Sequence, residues 1–161
     1  MMSRPGTTSP VEQAIHALKQ RLGPRANDTQ AIREHHSHGE SSHTAAAPDV
    51  VCLPHNTDEV SDILKISARF QLPVVPFGAG TSLEGHVNAV HDGITIDLRE
   101  MSQIVRVRVD DLDATVEAGV TCLHLHKALK NTGLMFPITI KRALDPDNRM
   151  NPGKMISEAH S

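Results

Sequence analysis

"VVPFGAGTSLEGH", residues 74–86, sets three glycines and no lysine straight after a run of β-branched residues. A backbone this bare can reach positive φ and come close to a ligand, so spacing must decide which ligand it suits. A dinucleotide fingerprint, G-x-G-x-x-G, counted from Gly78 and Gly80 needs a glycine where Leu83 stands. A P-loop needs G-x-x-x-x-G-K-[ST]. Gly80 and Gly85 have that spacing, but His86 and Val87 replace the lysine and the hydroxyl. Both motifs fail, and nucleotide hydrolysis goes with the second. What survives is the chemistry common to such loops: successive N–H groups can form a nest for an anion, and Thr81 and Ser82 add hydroxyl donors. On spacing alone a plain glycine-rich β-turn is the better reading.

The chain leading into the loop reads as a β-α-β unit. Val50 to Leu53 is a short apolar run expected to form a buried strand. Asn56 or Thr57 opens a helix, with Asp58 and Glu59 at its positive end. Val60, Ile63, Leu64 and Ser67 share a face of that helix, and Phe70 closes it. "LPVVPF", bounded by prolines, is the next strand. This order implies parallel pairing of strands 50–53 and 74–77 through a right-handed crossover, with the 58–70 helix packed across them. Beyond the loop the hydrophobic period becomes two. Strands carrying Ile94, Ile96 and Leu98, then Val105, Val107 and Val109, then Ala114, Val116, Ala118 and Val120 read as an antiparallel meander. Thr121 caps a further helix with Cys122, Leu125 and Leu129 on one face and Gly133 at its end. Near the start, Ser9, Pro10 and Glu12 spell a capping box ahead of Val11, Ile15, Leu18 and Leu22, and Gly23-Pro24 stops that helix. Residues 1–8 read as disordered and 25–47 as polar and irregular.

At 161 residues the chain suits one domain with its own core. A formal charge of −3, no Lys/Arg stripe and the absence of Trp and Tyr argue against nucleic acid, which needs cationic and stacking surface. Phe70, Phe77 and Phe136 are expected as core anchors. Cys52 and Cys122 form no CxxC pair and read as buried thiols in a reducing compartment. No apolar run approaches the roughly 20 residues of a transmembrane span. "MMSRPGTTSP" lacks a secretory apolar core, so a cytoplasmic protein is expected.

The stretch "PDVVCLPHNTDEVSDILKISARFQLPVVPFGAGTSLEGHVNAVHDGITIDLREM" closely resembles the start of the FAD-binding domain of the vanillyl-alcohol oxidase/PCMH-type flavoprotein family. The nearest branch is that of D-lactate dehydrogenase (cytochrome) and the glycolate oxidase FAD-linked subunit. "HGESSHTAAAPDVV", "ATVEAGVT" and "NTGLMFP" agree with it in order and spacing, so the resemblance runs from about residue 35 to Pro137. It implies an α+β fold: an N-terminal β-α-β lobe plus antiparallel strands of a PCMH-type FAD-binding domain, here incomplete. It implies FAD, its pyrophosphate held by the backbone of Gly78, Ala79, Gly80, Thr81 and Ser82, with Gly85 letting the chain pass close by. Gly119, in "EAGV", matches a position near the cofactor. The implied reaction moves hydride from the α-carbon of a 2-hydroxy acid, of D-lactate or glycolate type, to the flavin, giving the 2-oxo acid.

After Pro137 the resemblance breaks. "ITIKRALDPDNRMNPGKMI" instead resembles the extreme C-terminus of the same family, with its D-P-x-N-x-M-N-P-G-K signature. Three segments follow: 1–47, an N-terminal helix and polar stretch; 48–137, a partial FAD-binding domain; and 138–161, the family tail joined after an apparent internal deletion. A real deletion, a gene-model error and a degraded gene copy would each produce this join. Asn151 in the tail is a cofactor-side candidate. No catalytic residue is assigned, because the family draws its histidines and carboxylate from the missing middle. The competing readings are therefore a 2-hydroxy-acid oxidoreductase by ancestry, a truncated non-catalytic FAD-binding remnant, and an unrelated α+β binding domain. Uncovered strands suggest self-association.

Other clusters read as structural. His35, His36, His38 and His43 invite a metal, but the tract is polar and loop-like, so a surface loop and no metal site are expected. His124 and His126 do not share a helix face, and Arg106 and Arg108 read as a solvated strand face. Asp145, Asp147 and Asn148 lack EF-hand spacing and read as a turn.

Overall fold

The computed structural model describes residues 9–39, 44–81, 85–134 and 136. Helix α1 (Pro10–Leu22) starts on the expected capping box: the Glu12 amide donates to the Ser9 hydroxyl, and the Ser9 amide donates to the Glu12 carboxylate. A short 3-10 helix (Gly23–Arg25), strand β1 (Ala26–Asn27) and helix α2 (Gln30–His35) follow. The tract read as irregular thus carries ordered elements. A six-residue helix without a side-chain cap and a two-residue strand hold too few positions for a hydrophobic period to register.

Strand β2 (Val50–Cys52), helix α3 (Thr57–Phe70) and strand β3 (Val74–Phe77) form where expected, and Asn56 caps α3 by accepting from the Glu59 amide. The buried line of α3 is Glu59, Ile63 and Ser67; Leu64, expected on that face, is 47% exposed. Strand β4 (Ile94–Asp97) is not the first strand of a meander. The sheet order is β1-β2-β4-β3, and β4 runs parallel to both neighbours. Strands 50–53 and 74–77 therefore share a sheet and a direction but are not paired, because β4 lies between them. All four β4 residues are buried. A central strand is covered on both faces, so its Ile-Thr-Ile-Asp alternation marks two buried faces rather than a dry and a wet one. β3 takes the edge, where Pro76 is tolerated.

The register pairs Val50 with Ile94 and Cys52 with Ile96, which puts all four on one face. There they pack with Leu18 and Leu22 of α1, Ala26 of β1 and Ile63 of α3 to make the core. Val51, paired with Thr95, and Phe77, paired with Asp97, belong to the opposite face. Gly93 admits the chain to β4 at φ +91, and a Cβ there would stand 2.4 Å from the Pro73 carbonyl oxygen.

Strands β5 (Ile104–Arg108) and β6 (Asp113–Val116) form a separate two-stranded sheet. The link 109–112 is too short for a parallel crossover. Val105, Val109, Leu112 and Val116 are exposed. Helix α4 (Cys122–Ala128) opens on Thr121, whose hydroxyl accepts from the His124 amide. Leu125 and Leu129 are buried, but Cys122, at the first helical position, is exposed, as is Phe136. The buried-thiol expectation holds for Cys52 alone, and Phe136 is not a core anchor. Elements α1 to β4 with residues 116–120 make one compact unit, and β5, residues 113–115 and α4 belong to a second. Among the described residues no helix is long and apolar enough to cross a membrane.

Candidate functional site

Strands β3 and β4 end side by side: Phe77 pairs with Asp97, and the Leu98 amide donates to the Phe77 carbonyl at 2.9 Å. The glycine loop leaves from this carboxyl end, where open parallel sheets place their ligands. Residues 78–93 then return the chain to the start of β4, long enough for a parallel connection. Gly78, Ala79, Gly80 and Thr81 lie at its beginning. Among the described residues no hydrogen bond takes up the amides of 78–81, so a row of donors is open to an oxyanion. Gly80 sits at φ +73, and a Cβ there would meet Phe77 Cζ at 3.0 Å, so both its angle and its floor require glycine. At Gly78 a Cβ would meet nothing within 4 Å. Gly85 also has positive φ. Ser82 and Asn151 lie outside the described residues.

Gly119 packs on the turn after β4. Its amide donates to the Met101 carbonyl at 2.8 Å, and a Cβ would stand 2.1 Å from the Leu98 oxygen. Backbone crowding by itself accounts for glycine at this position.

The face of the sheet that carries Phe77 holds a side chain read from the sequence as surface. His36 is 2% exposed, directly after α2. Its Nδ1 lies 2.9 Å from the Ile32 carbonyl oxygen and its Nε2 lies 2.9 Å from Asp97 Oδ2. Its ring packs on Phe77, centroids 4.6 Å apart. Asp97, 0% exposed, also accepts from the amide, Nε and a terminal nitrogen of Arg99. Burial alone would raise the Asp97 carboxyl, but the His36 and Arg99 hydrogen bonds outweigh it and hold the group well below the usual carboxylate range. The surface-loop reading stands for His38; His35 is exposed as expected but is the last residue of α2 rather than part of a loop, and His43 lies outside the described residues. Among the described residues no trio of His, Cys, Asp or Glu is placed to hold a metal.

Asn88, 5% exposed, was not picked out from the sequence. Its Nδ2 donates to the Thr44 carbonyl at 2.9 Å, and its amide donates to the Gly85 carbonyl at 3.0 Å, closing the later part of the loop. Its Oδ1 has no partner among the described residues. A buried acceptor left over in the same β3–β4 connection as the open donors fits a polar ligand better than an apolar one.

Residues 48–143 match the FAD binding domain family. The chain is 41% identical over 132 residues to a probable mitochondrial D-lactate dehydrogenase of Danio rerio, covering 81% of this chain and 27% of that protein. It is 35% identical over 111 residues to glycolate oxidase subunit GlcD of Bacillus subtilis, covering 69% of this chain and 24% of that protein. The fold is also that of p-cresol methylhydroxylase, solved with substrate bound, at TM-score 0.69 and 18% identity over 80% of this chain and 26% of that one. The chain thus spans about a quarter of the length of these relatives.

Proposed function

The chain belongs to the FAD binding domain family, its cofactor is FAD, and from that premise we propose that residues 78–81 grip the FAD diphosphate in a protein whose lineage oxidises 2-hydroxy acids to 2-oxo acids. The row of unengaged amides at the carboxyl ends of β3 and β4 carries this reading. Gly80 lets phosphoryl oxygens approach the backbone, Thr81 adds a hydroxyl, and Asn88 Oδ1 can accept from a donor on the ligand. Bound FAD supplies the flavin ring that accepts hydride. The D-lactate dehydrogenase and GlcD relatives support the 2-hydroxy-acid class.

By itself this chain is proposed to bind FAD weakly and not to turn over substrate, which is the remnant reading. Each loop amide contributes a net hydrogen bond of about 1 kcal/mol, and the chain spans about a quarter of its relatives. Flavin fluorescence quenching on titration, paired with dye reduction in the presence of D-lactate or glycolate, tests this. Weak quenching without dye reduction is expected. Gly80→Val should abolish the quenching, since a β-branched side chain at φ +73 would both strain and strike Phe77. No quenching at any concentration would overturn the grip; tight stoichiometric FAD with dye reduction would overturn the remnant reading. Self-association through the exposed valines of β5 and β6 belongs to the same proposal. A clean monomer by light scattering at micromolar concentration would sink it.

A further inference from the structure

A diphosphate brings negative charge on both phosphoryl groups, and many loops answer it with a lysine. The loop 74–86 has none. The residues packed around Phe77 do hold cations. Arg99 is permanently charged, and its Cζ lies 5.8 Å from the centre of the Phe77 ring. His36 has an acceptor against each ring nitrogen, the Ile32 carbonyl and the Asp97 carboxylate. Asp97 ties His36 and Arg99 to a single carboxylate, and both of them contact the Phe77 ring. The Phe77 ring contacts His36 at one position, and its Cζ comes within 3.0 Å of where a Gly80 Cβ would be. It therefore links the cluster to the loop, and the half-exposed Arg99 beside it carries a charge that solvent partly screens.

We propose that His36, Asp97 and Arg99 are positioning residues of the diphosphate loop, fixing the Phe77 ring against Gly80 and holding the Arg99 guanidinium beside that ring, in a loop that has no lysine of its own. This rests on the reading of the loop as a diphosphate site, and two measurements separate the fates of the two ideas. In the ligand-free protein, amide spectra of Gly78 to Thr81 should shift and broaden in His36→Phe while amides of α1 stay put. Phe77→Leu, which removes the ring alone, should disturb the same loop amides and stands in if His36→Phe does not fold. Unchanged loop amides in a folded variant of either kind would overturn the positioning.

The second measurement is FAD titration of Arg99→Lys and Arg99→Met. Both lose the two-pronged grip on Asp97, but only lysine keeps the charge. Arg99→Met should raise the Kd for FAD about tenfold and Arg99→Lys only about twofold, the scale of one partly screened charge. Equal Kd values for the two variants would overturn the electrostatic part. Should the wild-type chain take up no FAD, the diphosphate reading falls, while the ligand-free amide spectra still decide the positioning.

Discussion

Glu59 sits on the buried line of α3, yet it is a carboxylate, and its partners explain how it stays there. Arg25 donates to both of its oxygens, at 2.7 Å to Oε1, and the His55 amide donates at 2.8 Å. The Arg25 hydrogen bond first, and the His55 amide second, pull this carboxyl from an ordinary 4.5 down to about 2. A depressed folded-state value means stability that is complete above the ordinary value and is lost as pH falls from about 4.5 toward about 2. Glu59→Gln should cost about 1–3 kcal/mol at neutral pH by leaving Arg25 poorly paired. It should also flatten the acid limb of urea midpoint against pH; a limb unchanged in the variant would show that the pair does not set it. Cysteine chemistry gives a second residue-scale test. Burial pushes the Cys52 thiol up to about 12, whereas Cys122 is exposed. A disulfide reagent at neutral pH should label one thiol per native chain promptly and the second only on unfolding. At this scale Gly80 was legible, because positive φ and close approach demand glycine in any context, whereas Gly78 has neither. His36 and Asp97 were not, because what buries and pairs them is a contact between positions 61 residues apart.

Elements that carry their own punctuation were read correctly. The α1 capping box is one, and Ser9→Ala should cost about 1 kcal/mol, read as a shift in denaturant midpoint at constant slope. The helices α3 and α4 likewise announce themselves at Asn56 and Thr121. Strand β4 shows where element-level reading ends. Alternation in Ile94 to Asp97 is the same whether the second face meets water or a buried histidine, so the pattern could not say that this strand is central. Gly93 is what fixes the entry to this strand. Its amide donates to the Asp49 carboxylate at 2.9 Å and its carbonyl accepts from the Asp49 amide at 2.8 Å, pinning the start of β4 beside β2. Gly93→Ala combines positive φ with a collision against the Pro73 oxygen and should cost about 2–4 kcal/mol. Such a loss, against less than 1 kcal/mol for Gly78→Ala in the open part of the loop, would be read from paired urea titrations. Equal losses would mean that the entry to β4 is not the constraint.

For the whole molecule, the sheet order predicts where protection from hydrogen exchange should concentrate. β4 has a ladder on each side and burial on both faces, whereas β5 and β6 have one ladder and exposed side chains. Amides of residues 94–97 should exchange near the global unfolding limit and those of 104–116 far faster. Comparable rates in the two sheets would contradict this ranking. The central place of β4 also has a consequence for how the protein comes to exist. A chain emerging from the ribosome delivers β2, α3 and β3 first, yet β3 has no neighbour until residues 94–97 appear, and the gap awaiting them is about 10 Å wide, two strand spacings. At about 5–20 residues per second, that wait lasts roughly 1–4 seconds of synthesis. The parallel sheet is thus completed from its middle, by the last of its strands to be made. The glycine loop, tethered to β3 at one end and β4 at the other, takes its shape in that same final step, so a nascent chain has no use for its cofactor before its sheet is shut.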